Sequence, residues 1–131
     1  MSKSAERLLL LLLLAIALAL SLLAWQGVGR GRIPGLGDGY QSVALANGQL
    51  FFGHVQAQGE YLVLRDVFYL QTRQNPQTQA VANVLVKRGG EPHGPDHMVV
   101  NRQQVLLIEP VKTDSQIGRL IAEQNKTAGS P

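Results

Sequence analysis

Ser42-Val43-Ala44-Leu45-Ala46-Asn47-Gly48-Gln49-Leu50-Phe51-Phe52-Gly53-His54-Val55 is the stretch that decides the fold of this chain. Asn-Gly between two alternating runs is the strongest short-range hairpin signal, because both turn positions favour positive φ. Two antiparallel strands are therefore predicted. In the second strand Phe51, Gly53, Val55 and Ala57 share one side, and Leu50, Phe52 and His54 the other. A glycine on the inner side permits a sharp bend. Leu50 and Phe52 are then expected to point outward.

Downstream, Gly59 opens a second turn into residues 61–70 (YLVLRDVFYL), a long run rich in aromatic and β-branched residues. Residues 72–79 (TRQNPQTQ) form a polar loop, 80–86 another apolar run, and Lys87-Arg88-Gly89-Gly90 closes it. Residues 91–97 (EPHGPDH) hold two prolines and a glycine and cannot be sheet interior. Short strands follow at 98–100 and 105–108, separated by Asn101-Arg102-Gln103-Gln104 and stopped by Pro110. Asp114 or Ser115 then caps an amphipathic helix carrying Ile117, Leu120 and Ile121 on one stripe. Six short strands with tight turns predict a mainly-β domain, a small and strongly bent antiparallel barrel with a short C-terminal helix. Both faces of 61–70 are largely apolar, which calls for a second layer or a partner. The 80–88 strand and the C-terminal helix supply one cover, and oligomerisation the other. The partner-binding candidates are Leu50, Phe52, Tyr61, Tyr69 and Arg102.

Upstream, residues 8–25 hold 11 leucines and no charge in 18 positions. Such a helix rises about 27 Å, close to the hydrocarbon thickness of a bilayer, and Trp25 suits the interface. The expected reading is an uncleaved single-pass signal anchor. Signal cleavage with secretion is the alternative, since Lys3 and Arg7 form a basic flank and Ala17-Leu18-Ala19 has cleavage spacing. Lys3, Arg7 and the N-terminal amine against Arg30 and Arg32 tilt the N-terminus toward the cytoplasm, with the C-terminal domain outside. Between helix and domain, GVGRGRIPGLGDG (27–39) has six glycines and one proline and reads as a flexible tether. The organisation is thus 1–7 basic flank, 8–25 transmembrane helix, 26–40 tether, 41–111 β-barrel domain, 112–124 amphipathic helix and 125–131 disordered tail.

The 131 residues contain no cysteine, which excludes disulfides, Cys-ligated zinc, Fe–S clusters and thiol catalysis. After the apolar block, 10 basic residues face 8 acidic ones with no basic run longer than Lys87-Arg88. Bulk charge therefore gives no support to nucleic-acid binding. Glu91, His93, Asp96 and His97 lie within seven residues and are groups that zinc or manganese would accept. His93, Asp96 and His97 are thus the metal candidates, set against an ordinary surface turn. No Gly-x-Ser-x-Gly elbow anchors an acyl-transfer triad. Asp66 is read as an acceptor for turn N–H groups. Arg102, at a tight turn, is read as a bridge to Asp66 or as a contact to an acidic partner.

Val43, Leu45, Asn47, Gly48, Gly53, Leu62, Val63, Leu64, Asp66, Val99, Val100, Arg102, Val105 and Ile108 stand in an order that resembles the Sm-like barrel over about residues 42–110. The string NG…FG…LxDVxYLQ…HGPxxxMxxNRxQVL is also similar to small single-span bacterial membrane proteins of unknown function. The resemblance implies an Sm/SH3-like fold. It does not carry the RNA pocket, because Tyr61 stands where that family has an Asn and Arg102-Gln103 where it has Arg-Gly. The function expected is a non-enzymatic, membrane-anchored assembly module, without catalytic residues or cofactor, that binds the bilayer and a protein partner or a second copy. The alternatives are a cytoplasmic-facing Sm-like nucleic-acid binder and a metal-dependent enzyme using His93 and His97.

Overall fold

The computed structural model of the chain describes residues 2–29 and 31–129, the side chains of 28 and 29 excepted. The charges at the N-terminal amine and Arg30, and the tail positions 130 and 131, lie outside the described residues. The chain divides into two units, Met1–Arg32 and Ile33–Pro131.

The first unit is one helix, α1 (Lys3–Gly29). Ser2 opens it, its hydroxyl accepting from the Ala5 N–H at 3.3 Å, and Glu6 in the first turn complements the helix dipole. Leucines at 8–14, 18, 20, 22 and 23 are all exposed, so the helix is apolar on every side. Over Lys3–Gly27 the mean hydropathy of an 18-residue window reaches 2.9. It is one N-terminal helix long and apolar enough to span a membrane. The helix passes Trp25 and takes up residues 26–29, which the glycine content assigned to the tether. Glycine at a helix end costs little because the last turn lacks intrahelical partners anyway.

The second unit is a six-stranded antiparallel sheet with a C-terminal helix: β1 (Gln41–Leu45), β2 (Leu50–Gln58), β3 (Tyr61–Gln74), β4 (Val81–Lys87), β5 (His97–Asn101), a single 3-10 turn (Arg102–Gln104), β6 (Val105–Pro110) and α2 (Gln116–Ala128). The strands run in the order β4-β3-β2-β1-β6, and β5 also pairs with β3. All six strands expected from the pattern are present. The β1–β2 turn differs in detail from the two-residue turn expected. Leu45 accepts from Gly48 N–H at 3.0 Å and donates to the Gln49 carbonyl at 2.9 Å, and only Gly48, at φ +84°, is left-handed. That is a three-residue loop ending in a glycine bulge.

β3 is the organising strand. Its first half pairs with β5 (Tyr61↔Asn101 to Arg65↔His97) and its second with β4 (Phe68↔Lys87 to Gln74↔Val81). Between the halves, Phe52↔Phe68 and His54↔Arg65 flank a register shift, so Asp66 and Val67 oppose the single residue Gly53. Asp66 takes the left-handed conformation at φ +51°, which an Asp tolerates better than most residues.

Both faces of the sheet carry a core. On one, Val43, Leu45, Phe51, Val55, Leu62, Leu64, Val67 and Val100 are buried together. On the other, Phe52 and Phe68 pack with Leu85 of β4 and Ile121 of α2. Phe52 is only 5% exposed, so its expected place on an outward partner surface is corrected. The side of β2 it occupies does face away from the larger core, but α2 lies over it. Ser115 caps α2, accepting from Gly118 N–H at 3.0 Å, and Gln124 Nε2 donates to the Leu85 carbonyl at 2.6 Å. The helix runs to Ala128, four residues into the segment expected to be disordered. The tether is likewise shorter than its composition implied. Ile33 and Leu36 pack against the larger core, presented by a Pro34-Gly35 turn with Gly35 at φ +74°.

Candidate functional site

The outer face continues past the helix that covers it. Ala44 stands opposite both Leu50 on β2 and Leu107 on β6, and Leu70 stands opposite Leu85 on β4. Leu50 and Leu70 line one shallow depression. A row Leu107–Ala44–Leu50–Leu70–Leu85 thus crosses five strands, on the same side as Phe52 and Phe68. α2 buries Leu85 to 4% exposure and leaves Leu50, Leu70 and Leu107 at 37%, 39% and 45%. The cover supplied by β4 and α2 is partial. An apolar row adjoining a closed core is a surface on which a partner can bury area at little conformational cost.

The other partner candidates fall in different places. Tyr61 is half exposed, at the start of β3 opposite Asn101. Tyr69 is partly buried against the larger core and borders the Leu50–Leu70 depression. Arg102 heads the 3-10 turn, its backbone N–H donating to the Glu60 carbonyl at 2.9 Å. Leu50 is the one candidate of the five that lies in the apolar row, with Tyr69 at its margin. Leu70 and Leu107 were missed as candidates because only the cross-strand register shows that they align with Leu50.

The loop from Lys87 to Met98 borders a cleft of about 360 Å³ lined by Asp66, Lys87, Arg88, Asp96 and His97 among others. Asp66 receives the Lys87 ammonium at 3.8 Å, an exposed pair of small energetic weight. Glu91 accepts from Gly89 N–H at 2.8 Å and faces Arg88 at 3.4 Å. That backbone hydrogen bond, helped by the Arg88 charge, holds the Glu91 carboxyl below the usual carboxylate range. Asp96 is hydrogen-bonded to His97, which lowers its pKa as well. Each acidic group in the loop therefore already has a local hydrogen-bond or ionic partner. Among the described residues no three His, Asp or Glu side chains converge as a metal cluster, and the structure does not bring Glu91, His93, Asp96 and His97 together.

His54 is not simply a solvated strand residue. Its Nδ1 lies 3.0 Å from the Asp38 carbonyl, and its ring packs on Tyr40 at 4.1 Å between centroids. Tyr40 in turn meets Phe68 edge-on at 6.0 Å. Arg88 lies over the Phe51 ring at 5.8 Å.

No protein-family model and no curated protein matches this sequence.

Proposed function

We propose that the chain is a single-pass membrane-anchored assembly module whose β domain docks a protein partner through the row Leu107–Ala44–Leu50–Leu70. The observation that carries this reading is the row itself: an apolar line left open beside Phe52 and Phe68, in a chain that also has an exposed N-terminal helix without charge from Leu8 to Trp25. The anchor is taken as uncleaved, with its N-terminus cytoplasmic and the β domain outside.

The domain is read as an Sm/SH3-like barrel. β5 and β6 lie at opposite ends of the run β5-β3-β2-β1-β6, yet only Arg102–Gln104 separates them. Four inter-strand steps span roughly 19 Å if flat, whereas four residue steps containing a 3-10 turn advance only about 8–10 Å. The sheet must curl to bring these edges together, and that supports closure.

Two readouts on the full chain in native membranes test the proposal. A reporter active only outside the cytoplasm, fused after Pro131, is expected to be active. A photocrosslinking residue at Leu70 is expected to give one discrete protein adduct, lost on Leu50→Ser. A cytoplasmic reporter overturns the placement. Absence of an adduct, or an adduct to RNA, overturns the docking surface.

A further inference from the structure

The second half of β3 leaves the rest of the sheet. β2 last pairs with it at Tyr69, so Leu70–Gln74 is held by β4 alone, and residues 70–83 are exposed throughout. A two-stranded arm of this kind is marginal in water and gains from a third strand.

The arm has two free edges, the β2-facing side of Leu70–Gln74 and the outer side of β4, and the hydrogen-bonding phase of the β4 edge can be read from two contacts. Arg88 N–H donates inward to the Val67 carbonyl at 2.7 Å, whereas the Leu85 carbonyl accepts from Gln124 on α2. Even-numbered residues of β4 therefore bond to β3, and odd-numbered ones present their N–H and C=O outward. Gln124 occupies the Leu85 position. Among the described residues no group meets the outward N–H and C=O of Val81 and Asn83.

Natural sheets protect such edges with charge, proline, a bulge or a covering helix. Residues 81–86 (VANVLV) hold no charge or proline, their pairing to β3 runs without a register shift, and α2 reaches the edge at Leu85 through Gln124. An edge with open N–H and C=O groups is a template on which another strand can pair. The stretch is also compatible with itself. Antiparallel pairing about a twofold axis at Ala82 sets Val81 opposite Asn83 of a second copy, and Asn83 opposite its Val81. Both are outward-bonding positions, so the two strands exchange four backbone hydrogen bonds. Ala82 meets its own counterpart as a non-hydrogen-bonded pair, where its small side chain allows close approach. Lys87 lies five residues from the axis, so the symmetry brings no like charges face to face.

We propose that two copies of the chain join through their β4 edges into one continuous sheet with Ala82 at the twofold axis. This rests on the anchored-module reading only in that confinement to a bilayer would raise the local concentration of a short interface. It names a second copy as the occupant of the edge and leaves the Leu50–Leu70 row to a different partner.

The chain has no cysteine, so Ala82→Cys supplies its only thiol. Non-hydrogen-bonded antiparallel pairs place Cα atoms about 4.5 Å apart, within disulfide range. Full-length A82C in membranes under mild oxidation is expected to form a covalent dimer at least about tenfold faster than Gln77→Cys at the arm's tip, which the same axis holds roughly 30 Å from its counterpart. Asn83→Pro removes an outward donor without touching the β3 ladder, and added to A82C it is expected to return the rate to the Q77C level. Equal rates for A82C and Q77C, or a rate indifferent to Asn83→Pro, overturn the pairing. Carbonate washing of the same membranes reports the anchor separately. A released chain that still crosslinks removes the anchoring and keeps the edge, whereas a retained chain that does not crosslink removes the edge.

Discussion

Gly53 lies against the backbone of Arg65 so closely that a Cβ on it would stand 2.9 Å from the Arg65 carbonyl oxygen and 3.3 Å from a Val67 methyl. This contact is where β2 and β3 bend together, at the point where two residues of β3 oppose one of β2. The nearer obstacle is backbone, so it cannot swing aside as a side chain would. Gly53→Ala is expected to cost about 1–3 kcal/mol as an overpacking change. Thermal unfolding of the detergent-solubilised chain should show the loss, and an unchanged midpoint would mean that the bend does not depend on this approach.

Asp66 occupies the other side of the same bulge with φ at +51°. Its Lys87 pair is exposed and adds little, so the backbone decides its substitutions. Asp66→Gly is expected to leave stability within about 1 kcal/mol, relief of strain being offset by the entropy of the unfolded glycine. Asp66→Val should lose about 1–2 kcal/mol or more, since a β-branched residue fits the left-handed region poorly. A ranking of Gly above Val in unfolding midpoints checks the point, and the reverse order would place the weight on the ion pair.

Ile121 is the only buried residue of α2, at 2% exposure against Phe52, Phe68 and Leu85. Ile121→Ala removes about 2–5 kcal/mol of packing, and the loss should be local. Hydrogen exchange of the α2 amides is expected to accelerate while the β1–β2 ladder stays protected. Gln124→Ala, which deletes one part-buried hydrogen bond to the Leu85 carbonyl, should change the same amides less. If Gln124→Ala loosens the helix as much as Ile121→Ala, the Leu85 hydrogen bond contributes as much to its docking as the apolar contact.

The strand positions were legible because alternation and turn chemistry are local. Asn47-Gly48, Gly59 and Pro110 bound the first, second and last strand elements as the pattern indicates. What sequence did not convey was which residues share a surface across strands. Alternation places Phe52 on the side opposite Phe51, but whether that side meets solvent depends on where a helix more than sixty residues later comes to lie. The alignment of Leu50 with Leu70 and Leu107 is hidden for the same reason. Ile33 and Leu36 were obscured by six surrounding glycines, whose composition says nothing about two apolar side chains finding a groove beside Ile108. The His93–His97 loop gave a ligand-rich composition, but its acidic groups are engaged with Gly89, Arg88 and His97.

The turn at Glu91 has a pH dependence whose sign follows from its geometry. Its carboxylate accepts the Gly89 N–H and faces the Arg88 guanidinium, so its folded pKa is depressed. A depressed acid contributes fully above its unfolded pKa and loses that contribution as pH falls through the folded value. The Gly89 amide resonance should therefore titrate with a midpoint below the usual glutamate range, and the loop's amides should lose protection, relative to their intrinsic exchange rates, on the acid side. Glu91→Gln keeps an acceptor oxygen but removes the charge, so it is expected to abolish the titration while leaving the Gly89 amide partly protected. Gly89 sits at φ +127° in front of the Pro95 carbonyl, so the turn fixes how the chain leaves β4 for β5. An amide that titrates at the ordinary glutamate position would show that the Gly89 hydrogen bond is not populated in solution.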